Sequence, residues 1–171
     1  MLVTVKNNQP FITHLPLIYS ANNTLIGHID ANNPHAKLLK DGRESTIVFS
    51  GPDCYISPSI YKSNQLPTWN YVKVHLKGTV TEITSPEEIK QSMVAMTEFL
   101  EPNNTFILDT NNPKMTQYLP FVKGFKIDIT SWEGKFKLSQ NRNRVDFELA
   151  KQELIERNQL SIKTFLDTIL H

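Results

Sequence analysis

Apolar and polar residues alternate most regularly between Tyr71 and Ile83, where Val72, Val74, Leu76, Gly78 and Val80 share one face and Lys73, His75, Lys77 and Thr79 the other. A period of two with one wet face is the pattern of a half-buried antiparallel strand. Shorter runs of β-formers precede it. Leu2 to Val5 and Phe11 to Tyr19, separated by the polar turn Asn7-Asn8-Gln9-Pro10, predict a hairpin. Leu25 to Ile29 and Ser45 to Ser50 predict two further strands, and Pro34, after Asn32-Asn33, can open a short helix from His35 to Lys40.

The helical signals are later. Ser85-Pro86-Glu87-Glu88 combines a capping serine, a first-position proline and acids in the first turn, and Ile89, Met93, Met96, Phe99 and Leu100 supply an apolar face for a helix over 86–100. Glu101 to Lys114 reads as a loop, with a second short helix from Pro113 to Pro120. Phe125, Ile127 and Ile129 alternate, so Lys123 to Leu138 predicts a hairpin turning at Glu133-Gly134. From Val145 the spacing is helical through Phe147, Leu149, Leu154 and Ile155, and again through Ile162, Phe165, Leu166, Ile169 and Leu170, with Asn158 as the break. Strands in the first half with inserted or terminal helices indicate an antiparallel α+β architecture, without the rhythm of a parallel sheet.

The length of 171 residues fits one domain with a real core. The 18 basic side chains nearly cancel the 17 acidic ones, so the overall field attracts neither nucleic acid nor anionic lipid. Cys54 is the single cysteine, which excludes an internal disulfide and a multi-thiolate zinc site. No stretch approaches the roughly 20 apolar residues that span a bilayer, and Met1-Leu2-Val3-Thr4-Val5-Lys6 lacks the apolar core of a signal peptide. A soluble cytoplasmic protein is the expectation.

Candidate chemistry lies in three polar-aromatic tracts beside β-rich runs: Gly51 to Tyr61, Pro67-Thr68-Trp69-Asn70-Tyr71, and Trp132 to Arg142. If they converge, they make a pocket for a flat ligand with polar edges. The glycines form neither a Gly-x-Gly-x-x-Gly nor a Walker loop, so a phosphate would have to be held by side-chain cations and hydroxyls.

Four ordered motifs carry a resemblance over roughly residues 2–150: Gly27 to Pro34; Phe49 to Pro52 running on through Tyr55-Ile56-Ser57-Pro58-Ser59; Pro67 to Tyr71; and Glu133 to Arg142. Together they resemble the PaiB family of FMN-binding negative transcriptional regulators. The resemblance implies a mainly antiparallel split β-barrel, similar to pyridoxamine 5'-phosphate oxidase, with peripheral helices. It also implies a homodimer holding FMN at the subunit interface. In that family an N-terminal segment with a helix precedes the first strand, whereas here strand character begins at Leu2.

Carried onto this chain, the resemblance puts His14 and His28 on strands flanking the flavin ring, and Asn33 and Lys37 at a short helix start suited to phosphate. Ser57, Ser59, Trp69 and Asn70 would give hydroxyl, stacking and amide contacts. Lys137, Ser139, Gln140 and Arg142 would close the site, from the same or the opposite subunit.

Plainer readings stand beside these. Trp69 can be a core aromatic, His14 and His28 satisfied strand histidines, Lys37 an ordinary cation in a helix, and Cys54 a small buried residue. Lys135, Lys137, Arg142 and Arg144 form a basic strip that could touch DNA, but Glu133, Asp146 and Glu148 interrupt it and no recognition helix is visible. Beside a PaiB-type regulator, a flavin-dependent oxidoreductase and a non-catalytic flavin-binding module remain open, and no acid-base pair stands out as catalytic.

Overall fold

A computed structural model describes residues 1–101, 103, 105–158 and 166–167. Seven strands form one sheet: β1 (Leu2–Lys6), β2 (Gln9–Thr13), β3 (Ile18–Ser20), β4 (Thr24–Asp30), β5 (Glu44–Ile56), β6 (Thr68–Ile83) and β7 (Val122–Lys137), in the order β2-β1-β5-β6-β7-β4-β3. The pairs β1–β2, β1–β5, β3–β4 and β4–β7 are antiparallel. Among the described residues it is accompanied by the helices α1 (Pro86–Leu100), α2 (Pro113–Tyr118) and α3 (Arg144–Asn158). The predicted antiparallel α+β class is the observed one. The chain forms two compact units, residues 1–48 with 76–132 and residues 49–75 with 133–171, and β5, β6 and β7 each contribute residues to both.

In the first unit, Asn7 and Asn8 take the left-handed conformations, φ 52° and 60°, that a tight hairpin turn requires, and β1 pairs β2 from Leu2 with Thr13 to Lys6 with Gln9. The run from Phe11 to Tyr19 is not one strand. Residues 14–17 interrupt it because Pro16 has no N–H to give a ladder. Leu2, Leu25, Ile29, Ile47, Val80, Ile83, Phe125 and Ile127 are buried there.

The expected helix over 86–100 forms with those bounds. Ser85 Oγ accepts the Glu88 N–H, and Ile89 and Met96 are buried, while Phe99 and Leu100 at its end are exposed. The short helix after Asn33 is a 3-10 turn over Pro34–Leu38, and α2 stops at Tyr118.

In the second unit, Cys54, Ile56, Tyr61, Val72, Leu138, Ala150, Leu154 and Leu166 form the core. The expected end of a strand at Ser50 is passed: β5 continues through Gly51-Pro52 to Ile56. A Cβ on Gly51 would meet Val72 at 3.1 Å, so glycine there permits the close approach of a neighbouring strand.

The predicted hairpin at Glu133-Gly134 is also absent, since β7 runs unbroken to Lys137. Tight hairpin turns need positive φ, and among the described residues Gly42 is the glycine with one. Gly134 is instead where the Phe136 ring folds close, within 2.7 Å of where a Cβ would stand. The predicted helix over 162–170 lies largely outside the described residues.

Candidate functional site

Four of the twelve residues singled out from the sequence lie in the first unit. His28 is on β4, half-buried, and its Nδ1 has no hydrogen-bond partner among the described residues. Burial lowers its pKa, so the imidazole is neutral at pH 7 and can offer one donor and one acceptor. His14 is not on a strand: it is exposed in the connector after β2.

Asn33 uses its side-chain oxygen to cap the 3-10 turn, accepting the His35 N–H at 2.9 Å. Lys37, exposed on that turn, has no ion pair among the described residues. Beside them sits a residue that sequence reading passed over. His35 is buried, with Nε2 2.9 Å from Thr4 Oγ1 and Nδ1 2.8 Å from Thr13 Oγ1. It ties the turn carrying Asn33 and Lys37 to both strands of the N-terminal hairpin, and burial lowers its pKa.

The other eight lie in the second unit. Alternation along β6 turns Trp69 outward and Asn70 inward: Trp69 is 50% exposed and Asn70 1%. The core-aromatic reading of Trp69 is therefore excluded. Asn70 Nδ2 donates to Ser139 Oγ at 3.1 Å, the Ser139 hydroxyl lies 3.2 Å from Asn70 Oδ1, and the Tyr61 hydroxyl is 3.2 Å from Ser139 Oγ. Ser139 takes φ 62°, a left-handed bend that ends the strand course of β7 and brings its hydroxyl into this buried triad. Tyr61 falls within a tract the sequence had marked, but its hydroxyl role was not legible from spacing.

Gln140 braces its own loop, with Oε1 accepting the Leu138 N–H at 2.7 Å and Nε2 donating to the Phe136 carbonyl at 2.8 Å. Ser57 Oγ accepts the Ser59 N–H and lies 2.8 Å from Ser59 Oγ, capping a 3-10 turn over Pro58–Ile60. Lys137 is exposed without an ion pair among the described residues.

Arg142 is half-buried, and its Nε lacks a partner among the described residues. The loop before it is closed by the Arg142 N–H, which donates to the Ser139 carbonyl at 3.0 Å, and the residue after it opens α3, where Asn143 Oδ1 accepts the Asp146 N–H at 3.0 Å. Asp146, fully buried, accepts from the Lys62 N–H at 2.7 Å, from the Ser63 hydroxyl and from Asn143 Nδ2 at 2.9 Å. The Ser63 hydroxyl above all, with the Lys62 N–H and Asn143 amide, holds the Asp146 carboxyl below its ordinary range.

His28 Nδ1 and Arg142 Nε are the two buried side-chain polar atoms without a hydrogen-bond partner among the described residues. Both belong to residues already marked in the sequence. An orphaned donor or acceptor in a native fold costs stability unless something else meets it. No group of three or more His, Cys, Asp and Glu side chains able to hold a metal occurs among the described residues.

Residues 1–131 match the sequence profile of a family described as "Putative FMN-binding domain". The chain is 32% identical over 152 residues to protease synthase and sporulation protein PAI 2 of Bacillus subtilis, which covers 85% of this chain and 73% of that one. Among solved structures, the FAD and heme binding protein of Mycobacterium smegmatis superposes with a TM-score of 0.63 at 17% identity over 80% of this chain. A flavocytochrome from Azotobacter vinelandii does so with 0.62 at 15% over 80%. This chain spans 63% and 60% of those two proteins, less than two thirds of either, and at such identities the likeness is one of fold: the split β-barrel.

Proposed function

Because the chain belongs to the FMN-binding family of the PaiB type, we propose that His28 and Arg142 are the side chains its flavin satisfies, in a homodimeric cytoplasmic protein with a regulatory role. FMN is the family's cofactor. What carries the assignment is the coincidence of two orphaned buried polar atoms with two residues of the motifs that mark the family. The donor set suits the molecule: a guanidinium, and lysines with no ion pair among the described residues, for the phosphate, and a neutral imidazole and an outward indole for the ring and its edge.

The twelve residues divide by what their polar atoms already do. Lys37, Lys137 and Arg142 would hold the phosphate. His14, His28 and Trp69 would meet the ring, and the Ser57 and Ser59 hydroxyls, bonded to each other in their 3-10 turn, would use their remaining hydrogen-bonding capacity on the ribityl chain. Asn33, Asn70, Ser139 and Gln140 spend their side-chain acceptors or donors on the protein itself, which supports a role in shaping the walls. Bound FMN supplies electron and hydride acceptance, and the protein contributes orientation and hydrogen bonding.

The sporulation role in the name of the Bacillus subtilis relative favours regulation, and no described helix is long and apolar enough to cross a membrane. Direct DNA contact has no such support. A flavin-dependent oxidoreductase is the second reading, favoured by the neutral His28 imidazole, which could hold a proton at Nδ1. It predicts bleaching of the flavin on anaerobic mixing with NADPH. The first test is the visible spectrum and solution mass of the purified protein: a flavin band and twice 19.6 kDa are expected. A colourless protein that stays colourless after incubation with excess FMN, or one at the single-chain mass, would contradict it.

A further inference from the structure

A cleft of about 790 Å3 lies wholly within the first unit, and none of the residues assigned to the flavin lines it. Its walls come from β1, the turn from Lys40 to Arg43, Glu44 to Thr46 of β5, Lys77 to Thr79 of β6, and Thr130 of β7. Three cations border it: Lys40, Arg43 and Lys77.

Two lysines of this unit are paired, Lys123 with Glu82 at 2.8 Å and Lys126 with Glu88. Lys40 and Lys77 have no ion pair among the described residues, and Arg43 makes only a 3.5 Å approach to the Val5 carbonyl. Of the two carboxylates on the rim, Asp41 is engaged with the Glu82 N–H at 2.6 Å, while Glu44 has no side-chain partner among the described residues.

The cationic turn is held in place rather than left to swing. Gly42 takes φ 75°, its N–H donates to the Val80 carbonyl at 3.0 Å, and the Val80 N–H donates to the Arg43 carbonyl at 2.9 Å. Backbone clamped on both sides fixes where Lys40 and Arg43 leave the chain, beside Lys77 on β6, before any ligand arrives, which lowers the entropy lost on binding. The remaining lining is hydroxyl and aliphatic: Thr46 and Thr79 have no side-chain partner among the described residues, and no aromatic side chain borders the cleft.

We infer that this cleft is a second ligand site, for a small polyhydroxylated phosphate of the sugar-phosphate class. Lys40, Arg43 and Lys77 would take the phosphate by charge-assisted bonds. Glu44, Thr46 and Thr79 would meet the hydroxyls. A nucleobase finds no stacking partner here, and a purely apolar ligand finds too many polar walls.

Isothermal titration of the FMN-treated protein with ribose 5-phosphate tests the assignment, with ribose and inorganic phosphate as the two halves of the ligand. Ribose 5-phosphate should bind in the presence of saturating FMN, and more tightly than either half. Lys40→Gln with Lys77→Gln, both exposed and remote from the core, should weaken it about tenfold or more while leaving FMN binding unchanged. No binding at millimolar ligand, equal binding of inorganic phosphate, displacement by FMN, or unaltered binding in the double variant would each overturn the proposal.

Discussion

Two residues show how local chemistry sets behaviour that the whole fold then inherits. Cys54 sits in the core of the second unit, and burial, with Glu153 adding repulsion, pushes its thiol up to about 11. Since the thiolate is the reactive form, native protein should resist iodoacetamide at neutral pH and react once denaturant opens that unit. Rapid alkylation without denaturant would contradict the burial. Gly78 is set by space: a Cβ there would stand 2.5 Å from Ile127 Cγ2 and 2.7 Å from the Asp128 carbonyl oxygen. Because one of those neighbours is backbone, Gly78→Ala should cost about 1–3 kcal/mol of unfolding free energy, measured by urea titration. A neutral effect would mean that β6 and β7 are free to part.

At the scale of elements, His35 is the link to test. Its pKa is lowered by burial, so the unfolded chain takes up a proton at a pH where the folded chain does not. Stability carried by the neutral imidazole is therefore complete above the ordinary histidine value of about 6.5 and falls as pH drops below it. His28 shifts the same way and contributes to the same limb. Facing the His35 ring are two neutral hydroxyls, Thr4 and Thr13, and the tilted ring of Phe11, and burial is the cause of its shift, with no charge reversing the sign. Urea midpoints at pH 7.5 and 5.5 should show a clear acid loss in the natural protein and a smaller one in His35→Gln. An identical loss in both would assign the acid sensitivity elsewhere.

Elements were legible in the sequence where local rules and tertiary context agree. Ser85-Pro86 with its acids gave α1 its bounds, because capping is a matter of neighbouring residues. The alternation through Val72 to Val80 gave the middle of β6 for the same reason. The strand end expected at Ser50 and the turn expected at Glu133-Gly134 misled, because Gly51 and Gly134 serve close approach to neighbouring side chains, which only the folded neighbours reveal. Motif order marked the candidate residues, but not that Asn70, Ser139 and Gln140 are already bonded within the protein. Hydrogen bonds over 69 residues of sequence leave no periodic trace. His35 was missed because its two partners are threonines, side chains that mark no motif.

For the whole molecule, the central proposition is that the flavin meets polar atoms the protein leaves unmet. FMN and riboflavin differ by the phosphate, so they separate the proposed cationic contacts from the ring contacts. Arg142→Ala should weaken FMN about 10- to 100-fold, the worth of a charge-assisted bond, and riboflavin hardly at all. His28→Ala should weaken both ligands alike. The decisive measurement is a flavin-fluorescence titration of natural protein, Arg142→Ala and His28→Ala with each ligand. The account predicts FMN selectivity that collapses in the arginine variant alone; equal FMN affinity in all three proteins would contradict it.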